Sequence, residues 1–185
     1  MARAAVAAGV TMWNDVTALG FAPDSLATAA ELGCDVVLMH MQGEPRTMQA
    51  DPRYSDVVGE VVTYLAERAR LAIAAGVQPG AITLDPGIGF GKTVAQNFEL
   101  LRDQTALLDL GFPLLAGWSR KSALGAACSP AGSGEPLPVN ERVLPSVAAA
   151  LLAAERGARV LRVHDVRETV LALKVWTAAS GTGPI

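Results

Sequence analysis

"AITLDPGIGFGKT", residues 81–93, decides the fold. An apolar, β-branched run ends at Asp85, and a glycine-rich turn follows at once. The turn resembles a phosphate-cradling loop, which needs Gly, four spacers and then Gly-Lys-Ser/Thr. Counting back from Gly91, however, puts Pro86 where the first glycine belongs. A proline has no N–H to give and fixes its own φ, so an ATP or GTP loop is excluded. What remains is an acidic residue at a strand end, followed by backbone that can approach something flat or anionic.

Working outward, the same design repeats. Short apolar runs at 11–16 ("TMWNDV"), 35–40 ("DVVLMH"), 112–118 ("FPLLAGW") and 159–164 ("RVLRVH") join 81–86 as five predicted strands. Longer amphipathic or Ala-rich stretches at 55–76, 142–157 and 166–180 predict helices. Strands alternating with helices read as βαβ units around a parallel sheet, an α/β fold. Four strands are preceded by a helix ending in glycine: "AAELGCD", "AIAAGVQPG", "LLDLGFP" and "AAERGAR". Two long loops, 41–54 and 128–140, interrupt the pattern, and long loops in a compact domain carry function more often than filler.

The 185 residues suit one domain, 1–185, and the 51% hydrophobic, 18% charged composition supplies a core. A net charge of −3 and a pI near 5.4 argue against a nucleic-acid partner. Cys34 and Cys128 match no metal or redox spacing, so a cytoplasmic protein with two reduced cysteines is expected. The start "MARAAVAAGV" lacks the sustained apolar core of a signal peptide, and no stretch is apolar for long enough to span a bilayer.

Polar residues close four of the strands: Asn14-Asp15, Asp85, Ser119 to Lys121, and Arg162 to His164. In α/β barrels and open α/β sheets alike, the C-terminal strand edge binds the ligand. Ser119, Arg120, Lys121, Arg162 and His164 form a cationic, hydrogen-bonding set suited to phosphate or diphosphate. Asp85 offers two acceptors in one plane to a heterocycle with adjacent N–H donors, and Asn14 offers both donor and acceptor. Phe90 can lie against a flat ring, and Lys121 can reach a ring carbonyl or nitrogen. Plainer roles compete: Asp85 as a turn residue, Arg120 and Lys121 as a solvated helix start, His164 as packing. Cations at a helix N-terminus oppose its dipole, which favours a ligand there. His40, between Met39 and Met41, reads as core lining, as do Trp13, Trp118 and Trp176.

Taken in order, "WNDV", "LMHMQG-PRTMQ", "LDPGIGFGK", "PLLAGWSRKSALG" and "RVLRVHDVRET" resemble dihydropteroate synthase. The resemblance runs through almost the whole chain and corresponds to strands 4 to 8 of that family's (β/α)8 TIM barrel, giving a partial barrel. It implies a transferase of folate biosynthesis that joins 6-hydroxymethyl-7,8-dihydropterin diphosphate to p-aminobenzoate, releasing diphosphate, and that is a sulfonamide target. Carried over residue by residue, it implies pterin binding by Asn14, Met39, Asp85, Gly117 and Lys121. It implies diphosphate binding by Ser119, Arg162 and His164, and p-aminobenzoate binding by Phe90, Lys121 and Ser122. The catalytic work would fall to Lys121, Arg162 and His164, and the family's dimers imply a homodimer.

Ile88 stands where the family often has Phe, and Trp118 where it often has Met. No "NVTPDSFSDGG"-like or "GGESTRPG"-like segment and no third-strand Asp-Thr is found. The resemblance therefore implies a chain without the first three units, with the Mg2+ ligand in the missing part. It also implies a fragment, a start placed too late, or units supplied by another chain. Two rivals stand beside it. A pterin-binding methyltransferase domain has no use for the cluster of Ser119, Lys121, Arg162 and His164. A non-catalytic half-barrel would pair through its open strand edges.

Overall fold

A computed structural model describes residues 1–181 except 45, 130, 131 and 133, four positions within the two long loops. The chain runs α1 (Ala2–Ala7), β1 (Met12–Asp15), α2 (Ser25–Leu32), β2 (Asp35–Met39), α3 (Val57–Ala74), β3 (Ile82–Asp85) and α4 (Val94–Arg102). It continues through α5 (Thr105–Leu108), β4 (Leu115–Ala116), α6 (Ser122–Ala127), α7 (Val143–Glu155), β5 (Val160–Leu161) and α8 (Val166–Ser180). The fold is α/β with parallel strands.

β2 lies between β1 and β3, with Asn14 opposite Val37 and Met39 opposite Asp85. β4 pairs with β5 through Leu115 opposite Val160 and Ala116 opposite Leu161. A single parallel bridge, Leu84 to Leu114, links the two sets, and the Leu84 N–H donates to the Pro113 carbonyl at 2.9 Å. All five expected strands are present, each close to its expected position. The last two hold only two residues each, and the bridge to β3 falls at Leu114, the residue before β4.

Period-two alternation divides the sheet into two faces. Val36, Leu38, Ile82, Leu84, Leu114 and Ala116 belong to the main apolar core beneath the helices. The alternate residues Asn14, Val37, Met39, Thr83 and Asp85 share the opposite face with Leu115 and Val160. The sequence thereby sorts itself into a packing face and an opposite face that carries Asn14 and Asp85. On the packing side α3 buries Val57, Val61, Leu65, Ala69 and Ala72, a stripe at helical spacing. Trp118 is buried with its ring centroid 5.2 Å from that of Phe98, a packing role as expected. The four helix-ending glycines, Gly33, Gly76, Gly111 and Gly157, all take positive φ, which lets the chain turn back into the next strand.

Candidate active site

Every C-terminal strand end feeds one edge of the sheet, and Asp85 is its centre. The carboxylate is 1% exposed. Its Oδ1 accepts the Gly87 N–H at 2.7 Å, while Oδ2 has no hydrogen-bond partner. The Arg162 guanidinium approaches that bare oxygen at 3.8 Å. Burial raises the Asp85 pKa, and the Gly87 N–H, Arg162, Lys121 and Lys92 oppose that rise. A buried acceptor with a cation held just out of contact is poised to take donors from a ligand.

Gly117 makes room for this approach. It follows β4 as Arg162 follows β5, so continuing the register sets them side by side. A Cβ on Gly117 would stand 2.7 Å from the guanidinium.

The glycine turn is held by the protein on nearly every side. The Gly87 N–H goes to Asp85 and the Gly89 N–H goes to Asn97 Oδ1 at 2.7 Å. Gln49 donates to the Gly89 carbonyl and the Tyr54 hydroxyl to the Gly91 carbonyl. The long loop 41–54 therefore braces the turn from outside. The Gly87, Gly89 and Phe90 N–H groups are thus spent internally. Thr93 and Gln96 close a capping box that starts α4 directly behind it.

Lys92 is the residue that sequence reasoning missed. Its Nζ is buried and donates to His40 Nδ1 at 3.0 Å, the Gly87 carbonyl at 3.0 Å and the Phe90 carbonyl at 3.1 Å. Three donors meet three acceptors. Burial lowers its pKa to about 7, with Asp85 acting in the other direction. Burial, with Lys92 next, pushes His40 down to about 3, so the ring is neutral and its Nδ1 accepts. Nothing local in the sequence marks this lysine, because two of its partners are backbone carbonyls of the turn and the third, His40, lies 52 residues away.

Phe90 and Lys121 are brought together, with Nζ 4.2 Å from the ring centroid, a cation–π contact. Burial lowers the Lys121 pKa, Arg162 adds to the effect and Asp85 opposes it. Ser119 is buried and meets His164: Oγ accepts the His164 backbone N–H at 3.1 Å and lies 2.9 Å from Nδ1. Ser122, exposed, opens α6. Asn14 is exposed on β1, two strands from Asp85 on the same face, and Met39 is buried beside Asp85 on β2.

Arg120 departs from the expected cationic set. Its side chain pairs with Asp165 at 2.6 Å, and its backbone, at φ 58°, is pinned by Ser146 Oγ on N–H and Arg142 on the carbonyl. It shapes the turn that aims Ser119 and Lys121 while its own charge is turned elsewhere. Arg142 is a second residue the sequence did not reveal.

One strand edge of this α/β fold thus carries a buried carboxylate beside a set of cationic side chains. Residues 1–164 match the family described as pterin binding enzyme, and the chain belongs to that family. It is 43% identical over 178 residues to a dihydropteroate synthase of Haemophilus influenzae, covering 96% of this chain and 62% of that relative. A crystal structure of dihydropteroate synthase from Stenotrophomonas maltophilia with active site-bound imidazole superposes with a TM-score of 0.90 at 49% identity. That match covers 98% of this chain and 66% of the other. The Xanthomonas albilineans enzyme in complex with 7,8-dihydropteroate gives a TM-score of 0.86 at 47% identity, over 98% of this chain and 63% of the other. The chain spans less than two thirds of the length of these relatives.

The magnesium ion implied by the resemblance finds no cradle among the described residues, where no three His, Cys, Asp or Glu side chains gather as metal ligands. The described helices include none long and apolar enough to cross a membrane.

Proposed function

We propose that these residues form the pterin, diphosphate and p-aminobenzoate sites of a dihydropteroate synthase, built on strands 4 to 8 of a (β/α) barrel in a cytoplasmic homodimer. The observation that carries this reading is Asp85: a buried carboxylate with an unpartnered Oδ2 beside Arg162. Adjacent N–H donors on a pterin's aminopyrimidine edge satisfy both the oxygen and its charge. Asn14, Met39, Gly117 and Lys121 complete that pocket.

The reaction breaks the bond between the pterin's methylene carbon and a diphosphate oxygen, and the electron pair leaves with the diphosphate. Positive charge spreads into the ring. Arg162 and His164, with Ser119 behind, meet the growing negative charge, as fixed donors stabilise a transition state. The p-aminobenzoate amine, lying against Phe90 and near Lys121 and Ser122, then forms the carbon–nitrogen bond and gives its proton to solvent or diphosphate. An aryl amine is already neutral at pH 7, so positioning matters more than a strong base. The exposed apolar side chains of α7 and α8, Leu144 and Val175 foremost, support the homodimer.

Calorimetric titration of the chain with the pterin diphosphate tests the reading. Saturable binding that Asp85→Ala abolishes is expected. Binding indifferent to that substitution, or none by a chain that circular dichroism shows to be folded, overturns it.

A further inference from the structure

We propose that Ser119 is a positioning residue, one that fixes the tautomer of His164 with its proton on Nε2 and so presents an N–H donor at the strand edge. The use made of that donor rests on the diphosphate reading above, but the tautomer itself does not.

The argument begins with register. Leu115 pairs with Val160 and Ala116 with Leu161, so three residues beyond β4 and β5 the chain sets Ser119 beside His164. The serine is 6% exposed, whereas the histidine ring is open to solvent. Ser119 Oγ accepts the His164 backbone N–H at 3.1 Å and sits 2.9 Å from Nδ1. A hydroxyl has one proton and two acceptor sites. One acceptor site is taken by the backbone, and among the described residues no other acceptor lies within reach of that proton.

Two arrangements are then open. If Nδ1 carries the hydrogen, Oγ accepts two N–H groups and its own buried proton has no acceptor, which is penalised. If the hydroxyl donates to Nδ1, both groups are satisfied and the ring hydrogen sits on Nε2. The second nitrogen of a histidine is commonly fixed by what the first one bonds. Nε2 has no partner among the described residues, so its hydrogen is free for an anion.

His164 and Ser119 thus act as a relay of orientation, with the serine out of direct contact with the ligand. Arg162, two residues earlier, brings charge; His164 brings a directed N–H donor.

The chain has two histidines, which makes the test direct. Long-range proton–nitrogen NMR of 15N-labelled protein, near pH 8.5 where an ordinary imidazole is neutral, is expected to show His164 with a bare Nδ1 and a protonated Nε2. His40 serves as the internal control for the substitution, since its Nδ1 lies against Lys92 Nζ and not against Ser119. In Ser119→Ala the His164 pair should move toward tautomer-averaged shifts while His40 stays put, and Ser119→Thr, which keeps the hydroxyl, should restore the pattern. Titration with inorganic diphosphate adds the functional arm: Ser119→Ala is expected to weaken binding about fivefold, the scale of one net hydrogen bond. In a His164→Ala background it should weaken binding no further. Protonated Nδ1 in the wild type overturns the proposal, as does additivity of the two substitutions, which would make Ser119 a direct ligand contact. If diphosphate fails to bind a folded chain, the reading of the site falls, and the spectrum still decides the tautomer.

Discussion

Arg162 Nη2 stands 3.8 Å from Asp85 Oδ2, too far for a hydrogen bond and close enough for charge to be felt. The carboxylate is almost wholly buried and the guanidinium half exposed, so the pair is incomplete on its buried side. Asp85→Asn keeps an acceptor for Gly87 but removes the charge. We expect it to weaken binding of the pterin diphosphate by about 100-fold, the loss of charge-assisted hydrogen bonds worth ~3 kcal/mol. Calorimetric titration checks this, and an affinity within threefold of wild type would exclude Asp85 as the ring-binding group.

The same residue sets a pH dependence with an unusual sign. Burial raises the Asp85 pKa, so the folded state favours the protonated form. The stability this group contributes is fully present below the ordinary carboxylate pKa and is lost as pH rises through the raised folded value. A ligand that donates to the ionised form works in the opposite sense. Pterin affinity should therefore fall on acidification before the fold itself weakens, which parallel titration calorimetry and thermal melts will show.

Lys92 gives a second pH dependence at the alkaline end. Its pKa is lowered to about 7 by burial, from 10.5 in the free side chain. A depressed folded value means that its stability is fully present above the unfolded pKa and is lost as pH falls through the folded one. Urea midpoints are expected to rise between about pH 7 and 10, a tenfold change in proton affinity being worth ~1.4 kcal/mol. Lys92→Met should flatten that slope. It should also release the Gly87 and Phe90 carbonyls, loosening the turn that holds Phe90 under Lys121. An unchanged slope in the variant would assign the pH dependence to another group.

Much of this was legible in the sequence because it depends on local pattern. The apolar runs ending in Asp85 and in Arg162 marked strands and the functional edge together, and glycines at 33, 76, 111 and 157 marked helix ends. The Thr93-x-x-Gln96 cap was legible by the same logic, although only the structure drew attention to it. Lys92, Asn97 and Arg142 were not legible. Each binds main-chain atoms, and a carbonyl carries no side-chain signature. Arg120 misled for a related reason: its charge belongs with Ser119 and Lys121 in sequence, but its positive φ turns the side chain to Asp165, 45 residues away.

Arg142 offers the clearest test of that hidden layer. It is buried at the start of α7, donates to the Leu137 carbonyl at 2.7 Å and the Arg120 carbonyl at 3.2 Å, and fills the space beside Gly125. Arg142→Met keeps the bulk and leaves both carbonyls bare. A loss of about 2 kcal/mol in urea unfolding is expected, the scale of hydrogen bonds from a charged donor. Amide exchange should quicken across 119–122 while remaining slow in β2. Uniform quickening would mean that Arg142 supports the whole fold and has no special hold on this turn.

Two glycines, at 87 and 117, separate folding from binding. A Cβ at Gly87 would stand 1.8 Å from the His40 carbonyl oxygen, and the residue holds φ +68°. Both obstacles are backbone, so neither can move aside cheaply, and Gly87→Ala should cost more than ~2 kcal/mol or abolish folding. A Cβ at Gly117 would instead meet the far end of Arg162 at 2.7 Å, a flexible side chain half in solvent. That guanidinium can swing away at little cost to the fold. Gly117→Ala should therefore melt within about 2 °C of wild type, ~0.5 kcal/mol in a domain of this size. Its diphosphate affinity should nonetheless fall roughly tenfold, or ~1.4 kcal/mol, because Arg162 can no longer rest beside Asp85. A Gly117→Ala protein that binds normally would show that the position of Arg162 against Asp85 is incidental, and the binding reading of that pair would fall with it.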